Sequence, residues 1–473
     1  MTDEIWRWDA TRTAEAIRRR EISSREAVEA SLSRMAAVNP RLNAVTVDLG
    51  ASALDIADRA DAAVARGEPL GPLHGVPVTI KENVDQAGCA TTNGVVAFRD
   101  VVASEDSPVV ANWKRAGAVI VGRTNTPAFS FRLDTDNELR GRTWSPWSAR
   151  HTPGGSSGGA SASVTAGITP LGHGNDIAGS IRYPAYACGL VGLRPSLGRV
   201  PAFNPSAAAE RSLSSQIMSV QGALTRTVRD ARLALETLAA RDVRDPWWVP
   251  APLEGPPPRR LAVAVVREPA DLSNAPVHPA VLEALARAAA WLEDAGYEIV
   301  DTPTPGFTRA AGLWFAMQIP EILRFLWPTV EQHGDAGIRR ALGLMIEAHQ
   351  PGDVAGYFRA LAERARVVRE WQRFLEDVPL VLAPVCTEPV YAHGFDLESV
   401  ERTADVWREC ATLIGVPVLG VPAVSVPTGI VDGLPMGVQI IAARFREDLC
   451  LAAADVIEAR AGIAERLPMD VAW

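Results

Sequence analysis

Residues 152–201 constrain the fold of this chain more than any other stretch, because glycine, serine and alanine displace almost every bulky side chain there. Fixing a glycine costs backbone entropy, so a dense run of glycine indicates that the main chain turns tightly or approaches another group closely. Two such runs, GGSSGG at 154–159 and GNDIAGS at 174–180, carry hydroxyl side chains. The pattern is typical of a site built from backbone amides and serines.

The overall composition narrows the class of protein. A length of 473 residues is compatible with one large α/β body or with two to four domains, and 47% hydrophobic residues allow a large buried core. A formal net charge of −9 argues against nucleic acid or an anionic membrane as the main partner. No apolar run approaches the roughly 20 residues of a membrane span, and the N-terminus lacks the apolar segment of a signal peptide. We therefore expect a cytoplasmic protein that binds neither nucleic acid nor a membrane.

The cysteines predict neither disulfides nor a zinc site. Five are scattered along the chain without a CxxC or Cys/His cluster, namely Cys89, Cys188, Cys386, Cys410 and Cys450. Each cysteine is expected to behave as a small, buried hydrophobic side chain. No metal, nucleotide or redox cofactor is called for.

Hydrophobic periodicity predicts helices alternating with short β-branched strands. This alternation favours an α/β fold with a central mixed, twisted β-sheet covered on both faces by α-helices. A capping box at Ser23 and Glu26 begins an early helix, which is predicted to end at Asn39 and Pro40. We interpret the chain as a single large domain, 1–473, made of an N-terminal helical segment 1–66, a catalytic half 67–240, a proline-rich linker 241–260 and a second half 261–473.

Two further regions influence the interpretation of the site. Residues 125–150 are irregular and polar and are predicted to form a loop that crosses the surface. Residues 308–377 are helical and rich in Trp, Met and Phe. They indicate either an ordinary helical core or a variable insertion that forms the wall of a substrate pocket.

The residues allow more than one base for a serine nucleophile. Lys81 directly follows a β-branched strand, and a desolvated lysine has a lowered pKa and can take a proton. A lysine at a strand end can instead extend its ammonium group into solvent. His173 lies in the glycine-rich stretch and remains an alternative base, although no GxSxG motif accompanies it.

The first glycine run is ambiguous when taken alone. GGSSGG could bind a phosphate at a helix N-terminus, but it lacks the GK[ST] of a P-loop and does not match GxGxxG. The downstream run GNDIAGS also carries a serine, and the two runs together form a specific pattern.

Six segments occur in a fixed order along the chain: HGVPVTIKEN, GRTNTPAF, TPGGSSGGASASVTAG, GNDIAGSIRYPA, GLVGLRPSLGRVP and GLPMGVQII. In sequence, order and spacing they resemble the amidase signature family. The resemblance extends from residue 23 to about residue 461 and is weakest between residues 242 and 379. It implies the family's Ser-cisSer-Lys chemistry.

Carried over by position, the resemblance implies Ser180 as the nucleophile, Ser156 after a cis peptide bond as the bridging serine, and Lys81 as the base. The implied oxyanion hole consists of the backbone N–H groups of Ile177, Ala178, Gly179 and Ser180. The implied supporting residues are Ser157, Asp176 and Arg182.

Two positions depart from the family pattern. The turn before the nucleophile usually has two glycines, and here one is Ala178, whose methyl group could narrow the oxyanion hole. The TNxPEF segment usually carries a glutamate where this chain has Ala128, so one support is absent. Neither residue is one of the three implied reacting groups.

The resemblance implies an amidohydrolase that cleaves a non-peptide C–N bond through an acyl-enzyme on Ser180. The substrate is expected to be a small-molecule amide, anilide or carbamate, as for a urethanase, with esters as further candidates. Two alternatives remain: a glutamine amidotransferase subunit that acts on charged tRNA, and a non-catalytic homologue. Base rates favour a homodimer.

Overall fold

The computed structural model describes residues 4–471 and 473, and within them eleven strands form one mixed sheet. The strands are β1 Val45–Asp48, β2 Pro77–Lys81, β3 Val119–Thr124, β4 Leu171–Asp176, β5 Val191–Arg194, β6 Val220–Thr225, β7 Ala262–Val265, β8 Glu298–Val300, β9 Leu380–Pro384, β10 Ala423–Val431 and β11 Leu434–Ala442. Their order across the sheet is β1-β3-β2-β4-β6-β5-β10-β11-β9-β7-β8. β2 is parallel to β3 and β4, whereas β10 and β11 form an antiparallel hairpin. The predicted α/β fold with a mixed sheet is confirmed.

Helices cover both faces of this sheet. They are α1 Ala10–Arg18, α2 Ser24–Leu42, α3 Gly50–Arg66, α4 Pro108–Arg115, α5 Gly158–Thr165, α6 Arg182–Cys188, α7 Leu213–Met218, α8 Val228–Leu238, α9 Pro279–Asp294, α10 Thr308–Glu321, α11 Trp327–His333, α12 Ala336–Ala348, α13 Val354–Asp377, α14 Val400–Glu409, α15 Ala411–Leu419 and α16 Glu447–Ala461. In β9, Leu380 and Leu382 belong to one hydrophobic cluster, and Val381 and Ala383 belong to another. Because neighbouring strand residues point to opposite faces, each face has its own core.

The early helix begins as predicted and ends later. Ser23 and Glu26 form the capping box, but α2 continues through Pro40 to Leu42. The helix ends where Asn43 adopts a left-handed conformation and its N–H donates to the carbonyl of Asn39. The predicted end at Asn39 and Pro40 is therefore wrong by about one half turn, because Asn43 and not the proline stops the helix.

Residues 125–150 are irregular as predicted, but much of this segment is buried beneath the surface. Asn125, Thr135 and Asn137 are almost completely buried. Their polar groups have internal partners: Asn137 Nδ2 donates to Asn125 Oδ1 at 2.8 Å, and Thr135 Oγ1 donates to the carbonyl of Gly154 at 2.8 Å. These bonds let a polar segment pass through the interior and support the glycine-rich loop.

The remaining segments agree with the sequence in their local structure. Residues 308–377 are mostly helical, and residues 241–260, all of which are described, have no helix or strand. None of the helices in the described part of the chain combines the length and the apolar character that a membrane crossing requires. The division into two halves and a linker stays a prediction.

Candidate active site

Two neighbouring parallel strands bring the predicted site together. β2 ends at Lys81, and β4 ends at Asp176, directly before the turn that carries Ser180. Parallel neighbours present their carboxyl ends at the same edge of a sheet. The loop before α5 adds Ser156 to this edge. The site is therefore built where three chain segments meet.

Lys81 is completely buried and surrounded by oxygen atoms. Its Nζ donates to Ser156 Oγ at 2.7 Å and to Asn175 Oδ1 at 2.8 Å. A third contact, with Ser157 Oγ, measures 3.1 Å. Burial lowers the pKa of Lys81 well below its ordinary value, although the charge of Asp176 opposes this shift. The amine is thus suited to take a proton from a neighbouring hydroxyl.

The loop that presents Ser156 is tightly packed. The peptide bond between Gly155 and Ser156 is cis. A Cβ atom at Gly155 would lie 2.5 Å from the carbonyl oxygen of Arg132 and 2.7 Å from the carbonyl carbon of Leu133. Only glycine fits this position, because the facing atoms belong to the backbone and have no rotamers.

The turn between β4 and α6 is shaped by one carboxylate. Asp176 Oδ1 accepts a hydrogen bond from the N–H of Gly179 at 2.9 Å. Gly179 has a φ of +97°, and a Cβ atom there would lie 2.8 Å from Leu413 Cβ. The turn therefore needs glycine at this position, both because φ is positive and because Leu413 leaves no room for a Cβ atom. Ser180 follows, with 7% of its surface exposed.

Two arginines hold Asp176 in place. Arg182 Nε and Nη2 each donate to the carboxylate at 3.0 Å, and Arg194 Nη1 donates to the Asp176 carbonyl at 2.5 Å. Burial alone would raise the pKa of Asp176, but the charges of Arg182 and Arg194 lower it to about 2. Arg182 also donates to the carbonyl of Leu413 at 2.7 Å, which ties the turn to α15.

The turn leaves backbone donors beside Ser180. Within the described residues, the N–H groups of Ile177, Ala178 and Ser180 have no hydrogen-bond acceptor, whereas the N–H of Gly179 is used by Asp176. Among the described residues, no hydrogen bond joins Ser180 Oγ to Ser156 Oγ. The donors predicted from the sequence thus lie on one turn, with Gly179 already committed to a side chain.

This geometry agrees with comparisons to known proteins. A model of the family described as Amidase matches residues 26–451 of the chain. The chain belongs to the amidase family. The amidase is 47% identical over 466 residues to an indoleacetamide hydrolase of Bradyrhizobium diazoefficiens, covering 98% of this chain and 88% of that relative.

Other relatives of the amidase are more distant. It is 32% identical over 493 residues to a glutamyl-tRNA(Gln) amidotransferase subunit from Moorella thermoacetica, and the alignment covers 98% of this chain and 99% of the relative. The solved structure of a bacterial aryl acylamidase of the amidase signature family matches with a TM-score of 0.82 and 27% identity over 98% of both chains. The predicted family and the predicted hydrolysis of amide bonds by an amidase are confirmed.

The two departures from the family pattern have apolar surroundings in this amidase. Ala178 and Ala128 are buried members of the hydrophobic cluster that contains Trp314. Ala178 does not have a positive φ, so the turn accepts its methyl group without strain. The methyl group packs in the core, and the backbone N–H of Ala178 stays unpaired among the described residues.

The hydrogen-bond partner of His173 is Gln221. The Nε2 atom of His173 lies 2.9 Å from Gln221 Oε1, and the imidazole ring packs edge-on against Trp113 at a centroid distance of 6.3 Å. Burial lowers the pKa of His173 to about 3, and the bond to Gln221 opposes this only in part. The arrangement favours Lys81 over His173 as the base.

Several residues around the site have roles that the sequence alone does not predict. Asn175 contacts Lys81 and also donates to Asn83 Oδ1 at 3.0 Å. Arg194 lies in GLVGLRPSLGRVP and holds Asp176. Trp314 Nε1 donates to the carbonyl of Ile177 at 3.0 Å across 137 positions of sequence. Asn175 and Arg194 stand in motifs that the resemblance already uses, whereas nothing local indicates the position of Trp314.

Proposed function

We propose that Ser180 is the nucleophile of this amidase, that Ser156 relays its proton, and that Lys81 is the base. The distance of 2.7 Å between Lys81 Nζ and Ser156 Oγ, at a fully buried lysine, carries the proposal. A neutral amine can accept the proton of a hydroxyl within hydrogen-bond reach. Asn175 and Ser157 take the two N–H donors that a neutral amine retains.

The relay begins when an amide carbonyl occupies the turn. Ser156 transfers its proton to Lys81 and takes the proton of Ser180, whose oxygen attacks the carbonyl carbon. The Ser180–Ser156 hydrogen bond forms at this stage, since such bonds are often long before substrate binds. The product of the attack is a tetrahedral oxyanion.

Backbone donors stabilise that oxyanion. We assign this role to the unpaired N–H groups of Ile177, Ala178 and Ser180, with Gly179 holding the turn through Asp176. Each such donor contributes on the order of 3 kcal/mol in related acyl-transfer sites. Asp176, Arg182 and Ser157 are positioning residues, because they contact the turn or the lysine and none is placed to touch the reacting carbon.

The second half of the cycle runs the relay backwards. The proton on Lys81 passes through Ser156 to the leaving nitrogen, the C–N bond breaks, and an acyl-enzyme remains on Ser180. Water then attacks the acyl carbon after giving its proton to the same relay. The carboxylic acid leaves, and Ser180 recovers its proton.

The expected substrate is a primary amide of an arylacetic acid. The relative with 47% identity is an indoleacetamide hydrolase, and its alignment covers 98% of this chain. Aromatic side chains next to the turn are compatible with a flat apolar ring: Trp314 bonds to Ile177, and its ring stacks on Trp407 at a centroid distance of 5.6 Å. Indole-3-acetamide is the first substrate to test.

Release of ammonia from indole-3-acetamide tests the proposal. The panel also includes an anilide, a carbamate, an ester and glutamine, and Ser180→Ala and Lys81→Ala are compared with the parent. The chain has one further lysine, Lys114, which lies on the surface beside Asp106 and provides the matched control Lys114→Ala. We expect both site variants to lose at least about 1000-fold in kcat and the control to match the parent. Full activity of Lys81→Ala would place the base elsewhere.

The same panel separates the alternatives. Glutamine hydrolysis that needs charged tRNA and partner proteins would indicate an amidotransferase component, as in the Moorella thermoacetica relative. Lack of labelling by a fluorophosphonate would indicate a non-catalytic homologue. We further expect a cytoplasmic homodimer that acts without metal or cofactor, and light scattering of the purified protein measures its assembly.

A further inference from the structure

A cavity with one charged edge lies beside the proposed active site. Its apolar wall is formed by Phe131, Leu133, Leu342, Met345, Val406 and Trp407, and its polar edge is formed by Arg132 and Asp396. The space of about 30 Å³ holds about two water molecules, which is less than a bicyclic ring needs. Entry of a ring therefore requires the wall to move. Met345 is suited to this, because its unbranched side chain adapts to different shapes.

The cavity lies between the two segments that carry the serines. On one side Trp407 stacks on Trp314, which donates to the carbonyl of Ile177 in the turn. On the other side Leu133 belongs to the backbone that packs on Gly155, directly before the relay serine. The cavity therefore lies within two residue contacts of each serine-bearing segment.

The polar edge keeps capacity to accept a hydrogen bond. Arg132 Nε and Nη2 donate to Asp396 Oδ2 and Oδ1, each at 2.9 Å. A carboxylate has about four acceptor positions; Arg132 takes two of them and the backbone N–H of Asp396 takes another, which leaves one. The Arg132 side chain is 2% exposed and that of Asp396 is 14% exposed, so the carboxylate is the more accessible partner.

The charges at this edge select the chemistry of a ligand. Arg132 Nη2 also lies 3.9 Å from Asp134 Oδ2, so one guanidinium group faces two carboxylates. A second anion from a substrate would meet a surplus of negative charge. A neutral N–H donor instead gains a hydrogen bond to an ionised acceptor, which is stronger than one between neutral groups.

We propose that Asp396 accepts a hydrogen bond from the ring N–H of the substrate. The amidase then prefers N-heteroaromatic acetamides, such as indole-3-acetamide, over flat acetamides of the same size without an N–H. This specificity rests on the proposed function, because it places the ring of a substrate whose amide lies at Ser180.

Two isosteric substrates test the inference on the parent enzyme. 1-Benzothiophene-3-acetamide replaces the indole N–H by sulfur at nearly the same size. We expect kcat/KM to favour indole-3-acetamide by at least about tenfold, the effect of one hydrogen bond to a charged group. In Asp396→Asn, which removes the charge of the acceptor, the preference falls to within about threefold. Thermal unfolding shows whether that variant is folded, and the comparison on the parent enzyme needs no variant.

The outcomes distinguish the two proposals. Equal kcat/KM values on the parent, or an unchanged preference in folded Asp396→Asn, overturn the role of Asp396 and leave the amidase mechanism standing. If the enzyme hydrolyses neither acetamide, the proposed substrate class itself is overturned. Thr403→Val is the matched control, because Thr403 lines the same cavity without contacting the ion pair. It is expected to keep the preference for the indole, and loss of that preference would contradict the assignment to Asp396.

Discussion

Lys81 Nζ lies 2.7 Å from Ser156 Oγ, and none of the Lys81 side chain is exposed. Burial removes the solvation that an ammonium ion needs, so the neutral amine is favoured, and a hydroxyl lies within reach of its lone pair. The proposed relay therefore depends on the protonation state of one buried lysine.

We predict that the activity rises with pH through the pKa of Lys81. Burial lowers this pKa below its ordinary value, so the neutral base becomes populated at a lower pH than an exposed lysine would. The chain has two lysines, so selective 13Cε labelling of lysine gives two signals, and Lys114→Ala assigns them. The midpoint of the Lys81 signal is expected to match the lower limb of the kcat/KM profile. A Lys81 signal that titrates at or above the ordinary value would contradict the relay.

We predict that Asp176→Ala destabilises the protein and lowers kcat. The substitution leaves the buried guanidinium groups of Arg182 and Arg194 without their carboxylate, which costs about 3 to 5 kcal/mol in free energy of unfolding for a buried pair. Urea denaturation measures this cost. The control is Asp294→Ala, which removes a surface pair with Arg460 and is expected to change the midpoint little. Equal midpoints for both variants would show that the pair does not hold the turn.

We predict that Gly179→Ala lowers activity far more than Gly67→Ala. Both glycines have a positive φ, +97° and +69°, which costs an alanine about 1 to 2 kcal/mol. A Cβ atom at Gly179 would also meet Leu413 at 2.8 Å, whereas one at Gly67 has no neighbour within 4 Å among the described residues. Relief of that contact shifts the turn that carries Ser180. A displacement of about 1 Å can cost about 100-fold in rate, so steady-state assays of the two variants decide the point.

The residues that we propose as the reacting groups can be identified in the sequence because each stands in a short motif. Lys81 ends a strand, and Ser156 and Ser180 stand in glycine runs in which a Cβ atom would meet neighbouring atoms at short distances. The capping box identifies Ser23 as the residue that caps α2 for the same reason, since its side chain and its backbone partner are three residues apart.

What could not be predicted depends on contacts across the chain. Trp314 reaches the carbonyl of Ile177 over 137 positions, and Asp396 pairs with Arg132 over 264. No local pattern encodes such distances. The polar composition of residues 125–150 indicated exposure, but Asn137 and its neighbours satisfy one another inside the protein. The burial of a polar segment can be predicted only when the hydrogen-bond partners of its residues are known.

We predict that Glu458→Gln stabilises the protein at pH 8 and not at pH 4. Burial raises the pKa of Glu458 to about 7, and the carboxyl groups of Asp455 and Asp230 act in the same direction. An unfolded glutamate has a pKa of about 4.3, so the folded state takes up a proton, and the stability that this group supports is lost as pH rises toward 7. Glutamine keeps the acceptor for the N–H of Val228 without the charge. Urea denaturation should therefore show a gain of about 1 to 3 kcal/mol at pH 8 only. Exposed Glu347→Gln is the control, and an equal gain at both pH values would contradict the assignment.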